Sequence, residues 1–138
     1  MGLDPLNKLL CTKIMNKLYD HPDAFEAEIT IFTEQEGGRK TPPKNGIRWD
    51  LTYAENNPEG RMFMIWPEFI DENGDSIDTG VPLIGKLKAR MHIVAKEMME
   101  FHSVRISVGT KFFSMEGPKK VAKGVVTKVT GLSKINEA

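Results

Sequence analysis

The spacing of hydrophobic residues changes once along the chain, near residue 21. Before that point, residues 4–19 place apolar side chains three or four positions apart, as on one face of an α-helix. Asp4 can cap the first turn, Pro5 suits the first helical position, and a His-Pro pair ends the pattern. We therefore predict an N-terminal amphipathic helix within residues 1–20. Its apolar face comprises Leu6, Leu9, Leu10, Ile14 and Leu18.

Beyond this segment, apolar positions recur at every second residue, which is typical of half-buried strands. An Asn-Gly pair within DENGD, residues 71–75, predicts a hairpin turn. One helix followed only by strands predicts an all-β fold, either an antiparallel barrel or a sandwich. The predicted strands are, in order, residues 25–31, 47–53, 61–66, 87–93, 104–108 and 121–132.

The stretch GVPLIGKL, residues 80–87, matches the beginning of a phosphate-binding loop at Gly80, Gly85 and Lys86. Such a loop requires a Ser or Thr after the lysine, and then a helix whose N-terminus holds the phosphates. Leu87 takes the Ser/Thr position, and the residues after it alternate as a strand does. We therefore interpret the stretch as a turn between strands and expect no nucleotide and no cofactor.

No other motif favours an active site. His21, His92 and His102 lack the spacing of a metal-binding pair, and His92 falls on the polar side of its strand, which predicts an exposed structural role. The acidic hairpin tip at residues 71–78 lacks the Gly and Glu that a calcium loop needs. Cys11, the lone cysteine, is interpreted as a small core residue. These residues predict neither a metal site nor an enzyme.

The chain of 138 residues is neutral overall, but its charge is uneven. Residues 101–134 hold seven Lys and Arg residues against a single acid, Glu116. This basic end favours a polyanion or an acidic partner, unless its lysines form the solvated face of a strand pair. The N-terminus shows no secretion signal, and no apolar run reaches the ~20 residues that a membrane helix needs. We therefore predict a cytoplasmic protein with no membrane partner.

Two stretches form specific motifs when they are taken together: FEAEITIFTEQEGGRKTPPKNGIRWDL, residues 25–51, and VAKGVVTKV, residues 121–129. They resemble the beginning and the end of the C-terminal, third domain of bacterial translation elongation factor Tu. This family of GTPases carries aminoacyl-tRNA to the ribosome. The first motif matches at Phe25, Glu26, Glu28, Glu36, Gly37, Gly38, Arg39, Thr41, Pro42, Gly46 and Arg48.

The resemblance covers roughly residues 21–132 and implies a closed, six-stranded, antiparallel Greek-key barrel over residues 21–138. The chain would be the third domain standing alone, without the GTPase domain and with the helix of residues 1–20 added. That helix would cover a barrel face or open end, or act as a docking or dimer element. A longer turn, residues 109–120, would replace a short one of the family and hold Phe112 and Phe113 as core residues or as an added partner contact.

In the family, the third domain contacts tRNA, the GTPase domain and the nucleotide exchange factor. The resemblance therefore implies binding residues in the Gly-Gly-Arg loop, at Arg48 and at a lysine after the fourth strand. Asp50 replaces a glutamine on the family's tRNA side, which weakens the expectation of RNA binding. With the basic C-terminal strands included, the predicted partner- or RNA-binding residues are Gly37, Gly38, Arg39, Lys40, Thr41, Arg48, Lys96, Lys111, Lys119, Lys120 and Lys123.

Two functional hypotheses follow. The first is a non-enzymatic binding module whose protein partner belongs to the translation machinery or targets it, so that the chain acts as a factor mimic, adaptor or decoy. The second is a weak tRNA- or RNA-binding protein that uses the Gly-Gly-Arg loop and the basic C-terminal strands. Salt separates the two, because phosphate contacts weaken steeply with ionic strength and a mostly apolar interface does not. An enzymatic function would be supported only by the general fact that one fold can carry many unrelated activities.

Overall fold

A computed structural model of the chain describes residues 19, 22–57 and 59–133. These residues form six strands, a short helix α1 and two single turns of 3₁₀-helix, and residues 131–133 are also helical. The strands are β1 (Phe25–Ile31), β2 (Asp50–Tyr53), β3 (Ile65–Ile70), β4 (Lys86–Ile93), β5 (Lys111–Glu116) and β6 (Lys119–Val129). The 3₁₀ turns are Glu34–Glu36 and Lys96–Met98, and α1 is Met99–Ser103.

All six strands belong to one antiparallel sheet with the order β2-β5-β6-β1-β4-β3. This confirms the prediction of a mostly β fold with six antiparallel strands. In β1 buried and half-buried residues alternate strictly, as the period-two pattern requires. The sheet curls around its apolar face, and the largest fully buried side chains of the core are Trp49, Phe25, Phe69, Phe112, Ile29 and Leu51.

The prediction of a closed barrel is wrong, because the curled sheet stays open between its edge strands. At this opening, Leu51 of β2 forms an isolated bridge with Phe63, which precedes β3, and the two residues exchange backbone hydrogen bonds of 2.9 and 2.8 Å. Two features of β3 account for the opening. Pro67 has no N–H to donate, and the side chain of Asn45 already bonds the backbone N–H and C=O of Phe69.

The predicted boundaries of the two edge strands are also corrected. The strand predicted at residues 47–53 is formed only over Asp50–Tyr53, and the one predicted at 61–66 lies at Ile65–Ile70. An edge strand pairs with a neighbouring strand on one side only. The alternation in its own sequence therefore does not determine the residues at which its pairing begins and ends. The strands predicted at 25–31 and 87–93 are confirmed as β1 and β4, and the last strand as β6.

The strand predicted at residues 104–108 does not form. The backbone N–H groups of Arg105 and Ile106 both donate to the carbonyl of His102, which continues the turn of α1, and Val104 is 75% exposed. The structure instead contains a strand that was not predicted, β5, within the segment predicted as a long turn. Its Phe112 is a core residue, whereas Phe113 is half-buried beneath the ammonium group of Lys120.

The two turns predicted next to β3 and β4 are confirmed. At the Asn-Gly hairpin, the Asp71 carboxylate accepts hydrogen bonds of 2.9 and 3.0 Å from the backbone N–H groups of Asn73 and Asp75. GVPLIGKL forms a turn, and β4 begins within it at Lys86. Among the described residues, no group of three His, Cys, Asp or Glu is placed to hold a metal ion.

His92 is buried, so the prediction of an exposed histidine is wrong. It lies on the outward face of β4, where the ring of Tyr19 covers it at 4.6 Å between ring centres. Its Nε2 atom is 2.8 Å from a carboxylate oxygen of Glu68, which is also buried. The predicted helix of residues 4–19 lies outside the described residues apart from Tyr19. No helix in the described part of the chain is long and apolar enough to cross a membrane.

Candidate partner-binding surface

The Gly-Gly-Arg loop follows β1 and is held by its own hydrogen bonds. The Thr33 hydroxyl accepts from the backbone N–H of Glu36, while the Glu36 carboxylate accepts from the backbone N–H of Thr33 at 2.8 Å. Gly37 then turns the chain in the left-handed conformation, with φ of 95°. A side chain at Gly38 would place its Cβ 2.3 Å from the carbonyl oxygen of Phe32. Both glycines therefore have a conformational role in this loop.

Arg39 joins the loop to the hairpin of β5 and β6. Its guanidinium forms an ion pair with Glu116, and its Nε donates to the carbonyl of Thr41 at 3.1 Å. The indole N–H of the buried Trp49 donates to the same Glu116 carboxylate at 2.7 Å. Partial burial raises the pKa of Glu116, but the hydrogen bonds from Trp49 and Arg39 outweigh it and hold the pKa below its usual value. Three separate segments thus meet on one carboxylate.

Replacement of this carboxylate tests how firmly the loop is fixed. We expect Glu116→Gln to lower the free energy of unfolding by about 1–2 kcal/mol, because a charged acceptor that serves two donors becomes a neutral one. Glu34→Gln is the matched control, since Glu34 is an exposed acid of the same loop, and it should change stability by less than about 0.5 kcal/mol. Urea denaturation measures both; equal midpoints for the two variants would contradict the assigned role of Glu116.

A shallow apolar groove of about 210 Å³ runs beside the loop. One wall comes from the loop itself and the other from the GVPLIGKL turn, whose Leu83 donates a backbone hydrogen bond of 2.8 Å to the carbonyl of Pro43. Ile84 projects at its edge and is 71% exposed, and Val81 on the same turn is 45% exposed. We call this region the loop-end groove. Its apolar lining consists of Ile31, Phe32, Pro42, Pro43, Leu83 and Ile84.

The structure gathers part of the predicted binding set at this end of the sheet. The segment from Gly37 to Thr41 lies there, and Lys40 lines the groove. Lys119 and Lys120 follow directly, because Glu116, the partner of Arg39, is paired with Lys119 across the hairpin. Lys111 and Lys123 lie farther along the same two strands, on the outward face of the sheet.

The remaining two predicted residues lie apart from the loop. Arg48 stacks on the ring of Trp66, with 4.9 Å from the guanidinium carbon to the ring centre. Lys96 follows the end of β4, and that end is paired with the beginning of β1, whereas the Gly-Gly-Arg loop follows the end of β1. The sequence pattern did not identify the apolar residues of the groove. The signal for them was present in VPLI, residues 81–84, an apolar run inside a turn.

A cluster of aromatic residues around the buried His102 occupies the opposite end of the sheet. The Tyr53 hydroxyl is 2.6 Å from Nδ1 of His102, and the imidazole packs edge to face with Phe63 and Phe101 at 4.7 and 5.1 Å between ring centres. Burial, and then the nearby charges of Arg105 and Arg61, lowers the pKa of His102 to about 4. Burial raises the pKa of Tyr53. At neutral pH both groups are therefore uncharged, and the pair is suited to packing.

No model of a known protein family matches the chain. The resemblance to elongation factor Tu therefore remains a prediction from the two sequence motifs. The geometry by itself describes a braced loop, an apolar groove with one projecting isoleucine, and flanking lysines. Such an arrangement is suited to binding a partner.

Proposed function

We propose that the chain is a non-enzymatic binding module that engages a protein partner through the loop-end groove. The observation that carries the proposal is the exposure of Ile84 on a surface whose neighbouring loop is fixed by the contacts of Arg39 and Glu116. An exposed apolar side chain beside an apolar groove matches the apolar core of a protein interface. In keeping with the sequence resemblance, the partner belongs to the translation machinery or is a protein that targets it.

Two physical features support a protein as the partner. The loop-end groove combines an apolar lining with the polar residues Thr33, Glu34, Arg39 and Lys40, which matches the apolar core and polar rim of interfaces. The capping of the loop by Thr33 and Glu36 fixes its conformation before binding, so little conformational entropy is lost when a partner docks. The chain would then act as a factor mimic, adaptor or decoy.

The alternative function is weak binding of tRNA or other RNA. The observation that favours it is the set of exposed lysines on β5 and β6, of which Lys119 and Lys120 adjoin the Gly-Gly-Arg loop. Binding of this kind would depend on several phosphate contacts and would weaken steeply as salt increases. Arg39 contributes little net charge to such a surface, since Glu116 already neutralises it.

Two single substitutions of matched exposure test the proposed function. Ile84→Asp places a charge at the edge of the loop-end groove, whereas Val104→Asp alters a side chain of 75% exposure in the turn after α1. Titrations would use purified bacterial elongation factor Tu and, separately, its exchange factor. We expect Ile84→Asp to weaken binding at least about tenfold, because the aspartate would be buried without a partner, and Val104→Asp to leave it unchanged.

The same titrations repeated at low and high salt, with tRNA as a further probe, separate the two functions. Protein binding that resists salt and depends on Ile84 supports the proposal. Binding of tRNA that disappears at high salt, and that is insensitive to Ile84→Asp, would support the alternative function instead. If elongation factor Tu, its exchange factor and tRNA all fail to bind, the alternative function and the proposal of either factor as the partner are both refuted.

A further inference from the structure

A further groove lies on the outward face of the sheet and adjoins the loop-end groove, because its Thr30 and Lys86 are the neighbours of Ile31 and Gly85. Its volume is about 330 Å³, at the lower end of the range of roughly 300–1,000 Å³ for small-molecule sites. We call it the outer-face groove. It is lined by Glu28, Thr30, Ala54, Lys86, Lys111, Phe112, Phe113, Lys123, Gly124 and Val125.

The strand register explains why lysines converge there. Lys123 on β6 is paired with Thr30 on β1, and Thr30 is paired with Lys86 on β4, so these three residues form one row across the outward face. In the next row along the strands, Lys111 on β5 is paired with Val125 on β6. Diagonal neighbours of this kind lie about 7–8 Å apart, close enough for two lysines to contact one anion. Three strands therefore direct ammonium groups at one groove.

The charge of this groove is poorly balanced by acids. Its one carboxylate, Glu28, lies 3.8 Å from the ammonium of Lys86. Within residues 22–57 and 59–133, neither Lys111 nor Lys123 belongs to an ion pair. Lys111 and Lys123 are both exposed, and the acid that Lys123 influences is Glu36 of the adjoining loop, whose pKa it helps to lower. Lysine ammonium groups of this kind are common ligands of phosphate.

We propose that the outer-face groove binds a small phosphate ester, with the phosphate between Lys111 and Lys123 and a hydroxylated body toward Thr30 and Glu28. The side chains of Glu28 and Thr30 can accept hydrogen bonds from sugar hydroxyls, and Val125 offers an apolar contact. A small ligand fits better than a nucleic-acid strand. A strand continuing along this face would bring a further phosphate against the carboxylate of Glu28.

The proposal is tested on the full chain by NMR titration of backbone amides. Ribose 5-phosphate is expected to shift the amides of Gly124 and Val125 in a saturable manner, whereas ribose without phosphate has no effect. Lys111→Ala and Lys123→Ala should each weaken binding about tenfold. Lys88→Ala is the matched control, because Lys88 is exposed on the same face but does not line the groove, and it should change affinity by less than about twofold.

Each alternative outcome is distinct. Equal shifts from sodium chloride at the same ionic strength would overturn the site, since they would report general screening. Tighter binding of an eight-nucleotide uridine RNA than of ribose 5-phosphate would assign the lysines to a nucleic-acid backbone and overturn the small-ligand proposal. The inference does not depend on the proposed protein partner. Ile84→Asp is expected to leave ribose 5-phosphate binding unchanged. Either proposal can therefore be refuted without refuting the other.

Discussion

Acidification from pH 7 to pH 4 is expected to lower the free energy of unfolding by about 3 kcal/mol through His102 alone. The pKa of this imidazole is about 4 in the folded protein and 6.5 in the unfolded chain. The unfolded chain therefore takes up a proton between these two values while the folded protein does not. Stability from this residue is fully present above pH 6.5 and is lost as the pH falls toward 4.

The buried position of His102 is the physical cause of this expected loss. The residue is 1% exposed, and the faces and edges of Phe63 and Phe101 surround its ring. A proton on the imidazole would place a charge in this apolar site, close to the guanidinium groups of Arg105 and Arg61. The phenol of Tyr53 can hydrogen-bond the neutral ring but carries no compensating charge.

Urea denaturation at pH 7.0, 6.0, 5.0 and 4.5 measures the effect, with His102→Gln as the control. The variant starts from a lower stability because Tyr53 loses its partner, but its stability should fall much less over this range. Glu36 and Glu116 do not obscure the comparison. Their pKa values are lowered from 4.5, so their contributions begin to be lost as the pH falls to about 4.5, but this loss is common to both proteins and cancels in the comparison. Parallel curves for the two proteins would show that His102 does not control the acid response.

Asn45→Ala is expected to destabilise the protein by about 3 kcal/mol. The Asn45 amide N–H₂ donates to the carbonyls of Phe69 and Ile77, and its oxygen accepts from the N–H of Phe69, each at 2.8 Å. Phe69 is fully buried. Each lost hydrogen bond costs about 1 kcal/mol, and more where the remaining backbone group stays buried without a partner.

Chemical denaturation compares Asn45→Ala with Asn73→Ala, since Asn73 is exposed and its described hydrogen bond is made by the backbone N–H. The control should lose less than about 0.5 kcal/mol. Asn45→Asp gives an independent check, because a carboxylate can accept from the Phe69 N–H but cannot donate to the two carbonyls. We expect it to be at least as unstable as the alanine variant. A loss below about 1 kcal/mol for Asn45→Ala would refute this account of the β3 edge.

The pairing of the strands shows which of them could be predicted from the alternation of apolar and polar residues and which could not. Strands β1 and β4 pair on both sides, and their strict alternation identified them correctly. Residues 104–108 alternate apolar and polar side chains, whereas β5 does not, because the apolar Phe113 is half-buried and the polar Ser114 is buried. Pairing with β6, which lies later in the chain, decided for β5. The gap between the edge strands β2 and β3, which we call the open seam, depends on Asn45. This residue lies in a loop, where the alternation of apolar and polar residues predicts nothing.

The candidate site was predicted in part for a similar reason. The Gly-Gly-Arg loop is contiguous, so its glycines and arginine could be read directly from the sequence. The loop-end groove joins that loop to residues 81–84, which are distant in sequence and are brought together by the pairing of β1 with β4. The same holds for the outer-face groove, where Lys86 joins the predicted Lys111 and Lys123 through the register of four strands.

The open seam also bears on how the protein behaves when it is concentrated. An uncovered strand edge is normally a template on which a second chain can add its own strand and begin to aggregate. On β3 this template is incomplete, because Pro67 has no N–H and Asn45 occupies the hydrogen-bonding groups of Phe69. Pro67 and Asn45, which keep the sheet open, thereby also protect the exposed edge of β3 from the addition of a strand from another molecule.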